Sequence, residues 1–258
     1  MQITRTGRGR PLLLVHGLGS TRRAWDPILH GLAKRREVIA LDLPGHNGTP
    51  SGSDASTFAG LARGLEAVLD QEGLGSVDMV GSSLGGQLVL EMARRGRTGA
   101  AVALDPGGFW SGGERGYVKA SLTASTWMLR GLRPALPMLA RFPASRTTLL
   151  GLLSARPWAL DGGMVAAELD AFALTTTLDG LIEDLPFGPM QTGPAARSSG
   201  PVTIGWGRHD RLCLPSQAER AVAAFPGARL HWFDRSGHFP MWDEPEETLA
   251  LILDATAA

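Results

Sequence analysis

A single cysteine, Cys213, stands in 258 residues, which excludes an intrachain disulfide and a thiolate metal cluster. This agrees with a reducing compartment. Lysine is nearly absent as well, occurring only at positions 34 and 119, so arginine supplies almost all the positive charge. Lys+Arg and Asp+Glu are 25 each, and a chain without net charge has no long-range field to gather nucleic acid or an anionic membrane. No stretch of about 18 apolar residues is present to span a bilayer. The first apolar run, Leu12-Leu13-Leu14-Val15, is too short for the core of a signal peptide. The expectation is a soluble, cytoplasmic protein with no nucleic-acid or membrane partner, no cofactor and no metal.

What is present is a regular alternation. Pro11–Val15, Glu37–Leu41, Val77–Val80, Ala100–Leu104, Pro201–Trp206 and Ala228–Phe233 are short, largely apolar runs, the pattern of strands buried on both faces of a parallel sheet. Amphipathic stretches at about 25–33, 57–71, 87–94, 216–224 and 245–256 lie between and after them. Strands alternating with helices are the mark of right-handed βαβ units. Met1–Thr6 alternates weakly and reads as an edge strand. From about 106 to 200 the strand pattern stops, and the segment is helical in character and rich in large apolar residues: Trp110, Tyr117, Trp127, Met128, Trp158, Phe172 and Met190. That content is too apolar for a disordered linker. The division expected is an α/β core over 1–105 and 201–258 with an inserted helical cap over 106–200, returning through a Gly/Pro/Ser-rich hinge at 186–201.

The chemistry concentrates at Gly81-Ser82-Ser83-Leu84-Gly85, a G-x-S-x-G frame with a strand before it and a helix after it. A serine in so tight a strand-to-helix turn needs glycine two residues to either side. Ser83 satisfies this; Ser82, flanked by Val80 and Leu84, does not. Ser83, Asp105, Asp210 and His238 all follow strand ends, and active groups of open α/β sheets gather at that carboxyl edge. Hydrolysis through serine needs a base to take the hydroxyl proton and a carboxylate to orient that base. The order serine, aspartate, histidine is one of the recognised chain orders. Asp210 could also cap the following turn, and Asp105 is its rival as the acid. His30, His231 and Asp42 read as surface or structural residues, and His209 as solvated.

His16-Gly17-Leu18-Gly19, Asp42-Leu43-Pro44-Gly45-His46, Gly81–Gly86, Gly207-Arg208-His209-Asp210 and Gly237-His238-Phe239 occur in an order that resembles the α/β-hydrolase superfamily, in its branch of capped serine esterases and lactonases. The resemblance covers about 1–105 and 200–258. It implies a mostly parallel sheet of seven or eight strands flanked by helices, with Ser83 as nucleophile, His238 as general base and then acid, and Asp210 as the orienting carboxylate. It also implies an oxyanion hole formed by the main-chain N–H groups of Leu18 and Leu84. Two departures stand out. Only one strand fits before Pro11 where the family has two, and Asn47 follows His46 where the family has glycine.

The expected substrate is a small to medium, neutral, hydrophobic ester or lactone under an apolar cap, with His16, Trp110, Tyr117 and Trp127 as candidate substrate contacts. Thioesterase and carbon–carbon bond hydrolase chemistry share the same triad. A non-enzymatic ligand receptor would keep the pocket without turnover. Gly17-Leu18-Gly19 with Asp42 further on also suits a dinucleotide-binding turn, but Arg22 replaces the third glycine and Ser83 and His238 would have no part in it.

Overall fold

In the computed structural model, which describes residues 1–257 except 53, 189, 190 and 192, the chain order begins β1 (Gln2–Thr6), β2 (Pro11–Val15), α1 (Asp26–Ala33), β3 (Glu37–Asp42) and α2 (Phe58–Gln71). It continues through β4 (Val77–Ser82), α3 (Leu84–Arg94) and β5 (Thr98–Leu104). Helices α4 (Glu114–Leu132), α5 (Leu136–Leu139), α6 (Pro143–Leu150), α7 (Gly162–Leu174) and α8 (Leu178–Asp184) follow without an intervening strand among the described residues. The chain closes with β6 (Val202–Gly207), α9 (Ser216–Ala224), β7 (Arg229–Phe233), α10 (Pro240–Asp243) and α11 (Pro245–Ala255). Among the described residues no helix is long and apolar enough to cross a membrane.

The strands form one seven-stranded sheet in the order β1-β3-β2-β4-β5-β6-β7. Only β1 runs antiparallel, pairing Gln2 with Asp42 and Thr6 with Val38; the other pairs are parallel. A single strand precedes β2, which settles the count at seven rather than eight.

Alternation along each strand divides the core into two layers. Leu13, Val15, Ile39, Leu41, Met79, Ala101 and Ala103 pack on one face with α2, α3 and α9. Leu12, Leu14, Val38, Ala40, Val80, Val102 and Leu104 pack on the other with α1 and α11. Leu12, Leu13 and Leu14 are all fully buried, so truncating any one to alanine costs about 2–5 kcal/mol. This burial on both faces is why the parallel strands read as unbroken apolar runs instead of alternating ones.

Glycines allow the chain to close over the carboxyl edge. A methyl group on Gly207, at the end of β6, would lie 2.0 Å from the carbonyl oxygen of Gly237. The loop that carries His238 therefore crosses against β6 at main-chain contact distance. The helices between β5 and β6 pack mainly on one another, α7 against both α4 and α5. α7 starts where Asp161 accepts a hydrogen bond from the N–H of Met164 at 2.8 Å, an N-terminal cap that satisfies one of the free donors of the first turn. Met190 and part of the return stretch expected at 186–201 lie outside the described residues.

Candidate active site

Ser83 sits between β4 and α3 with φ 56° and ψ −118°, a backbone conformation that costs a non-glycine residue of order 1–3 kcal/mol. Its N–H donates to the Leu104 carbonyl at 2.9 Å, and its carbonyl accepts from Gln87 at 3.0 Å, so both neighbours hold the turn. The flanking glycines have no room for a side chain. A methyl at Gly81 would meet the Gly85 carbonyl oxygen at 2.1 Å, and one at Gly85 would meet that of Val15 at 2.1 Å. The Ser83 hydroxyl is thereby lifted above the sheet edge at the start of a helix.

His238 Nε2 lies 2.8 Å from Ser83 Oγ, and its Nδ1 lies 2.7 Å from Asp210 Oδ2. In the tautomer that donates Nδ1–H to the Asp210 carboxylate, Nε2 is free to accept the proton of Ser83. Asp210 is itself fixed on its other oxygen: Oδ1 accepts from Leu212 N at 2.8 Å and Cys213 N at 3.0 Å. One oxygen of Asp210 thus meets the following turn and the other meets His238.

Asp105, fully buried at the end of β5 with φ 44°, accepts from Gly207 N at 2.8 Å and has no bond to His238 among those found. Burial, and then the charge of Asp210 beside it, push its carboxyl well above the usual range. Two adjoining buried carboxyls do not both ionise. Asp105 is therefore the carboxyl that favours its protonated form, while Asp210 accepts from three donors.

Ser83, His238, Leu18, Leu84, Gln87, Gly107, Trp110, Val118 and Cys213 are among the residues that line one pocket. Leu84 is the first residue of α3, and its N–H has no carbonyl inside the helix to bond. A second pocket shares the walls Leu18, Leu122, Leu153, Leu212 and Phe239 with the first, so the two adjoin as neighbouring lobes, and Ser83 lines only the first. Neither lobe is lined by a lysine or arginine.

Of the four expected substrate contacts, Trp110 lines the serine lobe and the other three do not. His16 is fully buried; its Nε2 accepts from Leu43 N at 3.0 Å, and its Nδ1 lies 2.7 Å from the Gly17 carbonyl. Burial keeps it neutral, lowering its pKa to about 4. It braces the loop carrying Leu18. Tyr117 is half exposed and donates its hydroxyl to the Arg211 carbonyl at 2.5 Å, and Trp127 is 82% exposed on the outer side of α4. The reason is helical phase: Val118, Leu122 and Leu129 share the inward face of α4, and Trp127 falls about 200° away from Leu129. Leucines make up most of the lining, with Trp110, Phe172, Phe239 and Trp242 as its aromatics. The expectation also missed Leu153, Leu212, Phe239 and the buried acid Glu168, which line the space from other elements. Glu168 and Asp170 both interrupt the apolar run of α7, so the local sequence does not single out Glu168.

Asp210, Cys213 and His238 each offer a potential metal-ligand atom, all within 4.8 Å of one another. They do not suit a metal. The Asp210 and His238 atoms already bond each other, and burial raises the Cys213 thiol well above its ordinary pKa, leaving it protonated and a poor ligand.

A mostly parallel sheet with a serine on the turn after its central strand defines the α/β-hydrolase class of fold. The chain belongs to the alpha/beta hydrolase family, whose model matches residues 12–251. A dihydrolipoyllysine-residue acetyltransferase component of the acetoin cleaving system from Cupriavidus necator is 27% identical over 95% of this chain, which spans 63% of that relative's length. A 2-hydroxy-6-oxononadienedioate/2-hydroxy-6-oxononatrienedioate hydrolase of Paraburkholderia xenovorans is 27% identical over 95% of this chain and 86% of its own. In three dimensions the enol-lactonase of Burkholderia xenovorans superposes with a TM-score of 0.77 at 18% identity, over all of this chain and 96% of that one; at this identity the likeness concerns the fold.

Proposed function

We propose that the protein is a serine hydrolase that cleaves apolar carboxylic esters or lactones through an acyl-enzyme intermediate. The observation that carries this reading is the approach of His238 Nε2 to 2.8 Å from the Ser83 hydroxyl, beside a largely apolar lining. In this mechanism His238 removes the hydroxyl proton as Ser83 Oγ attacks the carbonyl carbon, and the oxyanion is held by the N–H groups of Leu18 and Leu84. The imidazolium, stabilised by Asp210, returns the proton to the leaving oxygen; water then repeats the sequence on the acyl-enzyme.

Carbon–carbon bond hydrolysis is the second reading, and the relative from Paraburkholderia xenovorans is what favours it. The substrate in that relative's name is a dicarboxylate, and a carboxylate brought into this space would meet no lysine or arginine on its walls. The ester reading is preferred for that reason.

Turnover of ester, lactone, thioester and vinylogous diketone substrates, with the Ser83→Ala protein as blank, tests the proposal. In a series of 4-nitrophenyl esters kcat/KM should rise by up to about fourfold per methylene, from about 0.8 kcal/mol for each group buried, and then fall once the space is full. A best rate on acetate with steady decline, or turnover confined to the diketone, would overturn the ester reading.

A further inference from the structure

The lobe beside the serine cavity contains one ionisable side chain among its lining residues, Glu168 of α7. It is 6% exposed and surrounded by Leu18, Leu129, Leu149 and Leu169. Ser20 donates to its Oε2 at 2.6 Å and Thr21 to its Oε1 at 3.0 Å. A carboxylate offers about four acceptor positions, and these two hydroxyls occupy two. The remaining capacity faces a lobe whose other lining residues are mostly leucine and phenylalanine. Ser20 follows the Leu18-Gly19 loop, and Leu18 lines the same lobe as Ser83, so the acid is tied by hydrogen bonds to the loop beside the serine.

We propose that Glu168 determines the charge selectivity of the site: it repels a substrate arm ending in a carboxylate and accepts one carrying a hydroxyl donor. This rests on the serine-hydrolase reading and narrows its substrate class to neutral esters or lactones with a hydroxylated arm. An anion entering the lobe would be placed beside a like charge with no cation on the walls to offset it, whereas a hydroxyl would fill an acceptor position that leucine cannot.

The charge on Glu168 should itself depend on pH. Burial raises its pKa to about 7, opposed by the Ser20 and Thr21 hydrogen bonds; among nearby charges Asp26 raises it and Arg23 lowers it. Of the cations on the packed helix α4 and just beyond it, Lys119 pairs with Glu183 at 2.5 Å, Arg130 with Asp179 at 3.0 Å and Arg133 with Asp170 at 2.7 Å, and neither these nor Arg115 lines the lobe. His238 and Cys213 are the other titratable groups that line the two lobes, and they are unchanged in every comparison of ligands that differ only at the far end.

The test is binding to the Ser83→Ala protein, which leaves esters intact and does not depend on turnover. The probes are methyl hexanoate, methyl 6-hydroxyhexanoate and monomethyl adipate, together with hexyl acetate and 5-carboxypentyl acetate to present the same difference on the alcohol side. In one of the two series, at pH 8.5, the neutral ligands should bind at least about tenfold tighter than the anionic one, as a like charge within a few ångströms implies. That ratio should shrink on lowering the pH to 6, where Glu168 is protonated while the probe carboxylates remain ionised. Glu168→Gln should reduce the ratio at pH 8.5 by about tenfold and remove its pH dependence. Equal binding of neutral and anionic probes in both series, or a ratio that is the same at pH 6 and 8.5 with glutamate in place, would overturn the proposal even if Glu168→Gln failed to fold. Failure of the hydrolase reading would show separately, as wild-type protein that binds these esters but does not cleave them.

Discussion

The main-chain N–H of His238 donates to the carbonyl of Leu153 at 2.9 Å, so the loop that bears the imidazole is fastened to the helical stretch between β5 and β6. One residue earlier, Gly237 N donates to Asp243 Oδ2 at 2.8 Å, and the same carboxylate takes Ala155 N at 2.8 Å and the Ser154 hydroxyl at 2.5 Å. A side chain at Gly237 would come within 3.0 Å of main-chain atoms of Leu153, Ser154 and Ala155. The stretch above the sheet thereby helps to place His238 as well as to wall the pocket.

Asp243→Ala should therefore do two kinds of damage. It strands three donors in a buried setting, two of them main-chain amides, and should cost about 2–4 kcal/mol in urea unfolding. It should also lower kcat more than it raises KM, since the base is displaced while the pocket walls remain. Asp243→Asn, which keeps a carbonyl acceptor, should be the milder change. Unaltered stability and unaltered kcat in Asp243→Ala would show that the carboxylate does not hold the loop.

The two strand-end carboxylates should separate sharply on mutation. Asp210→Asn puts an amide where His238 Nδ1 needs an acceptor, so the proton moves to the wrong ring nitrogen; kcat should fall by about three to four powers of ten. Asp105→Asn keeps an oxygen for Gly207 N and replaces a carboxyl that already favours its protonated form, so activity should stay within about tenfold. Steady-state rates on one ester decide the matter, and the reverse order of effects would move the acid to position 105.

His16 makes folding sensitive to acid. Its folded pKa of about 4 lies below the ordinary 6.5, so between those values the unfolded chain binds a proton that the folded protein refuses. Its contribution to stability is fully present above about pH 6.5 and is lost as pH falls toward 4. His16→Gln, which can still accept from Leu43 N, should lose about 2 kcal/mol less than the parent on going from pH 7 to pH 5. His46, lowered to about 3, and Glu168, whose raised pKa works in the opposite sense, are present in both proteins and cancel in the difference. Equal pH slopes in urea unfolding would show that His16 is not a proton-refusing group.

Much of the sheet was legible because burial on both faces leaves runs such as Pro11–Val15 with no polar residue to misplace. β5 begins at Thr98, two residues before the apolar run, because Thr98 pairs with Val77 and pairing leaves no mark on composition. Ser83, Asp210 and His238 were legible as candidates because a parallel sheet brings successive strand ends to one edge. The pocket walls were not. Tyr117 and Trp127 were chosen for size, but the phase of α4 gives the inward face to Val118, Leu122 and Leu129. Glu168 reaches Ser20 and Thr21 across nearly 150 positions, and the Asp243 clamp depends on a crossing of loops. Neither contact follows from local periodicity.

The central claim, that Ser83 is a nucleophile activated by His238, is tested most directly by reaction with a fluorophosphonate followed by intact mass and peptide mapping. The account expects a single adduct on Ser83, its absence in Ser83→Ala, and labelling slowed by at least about a hundredfold in His238→Ala, the usual scale of general-base assistance. Folded wild-type protein that takes up no label, or an adduct that persists in Ser83→Ala, would contradict it.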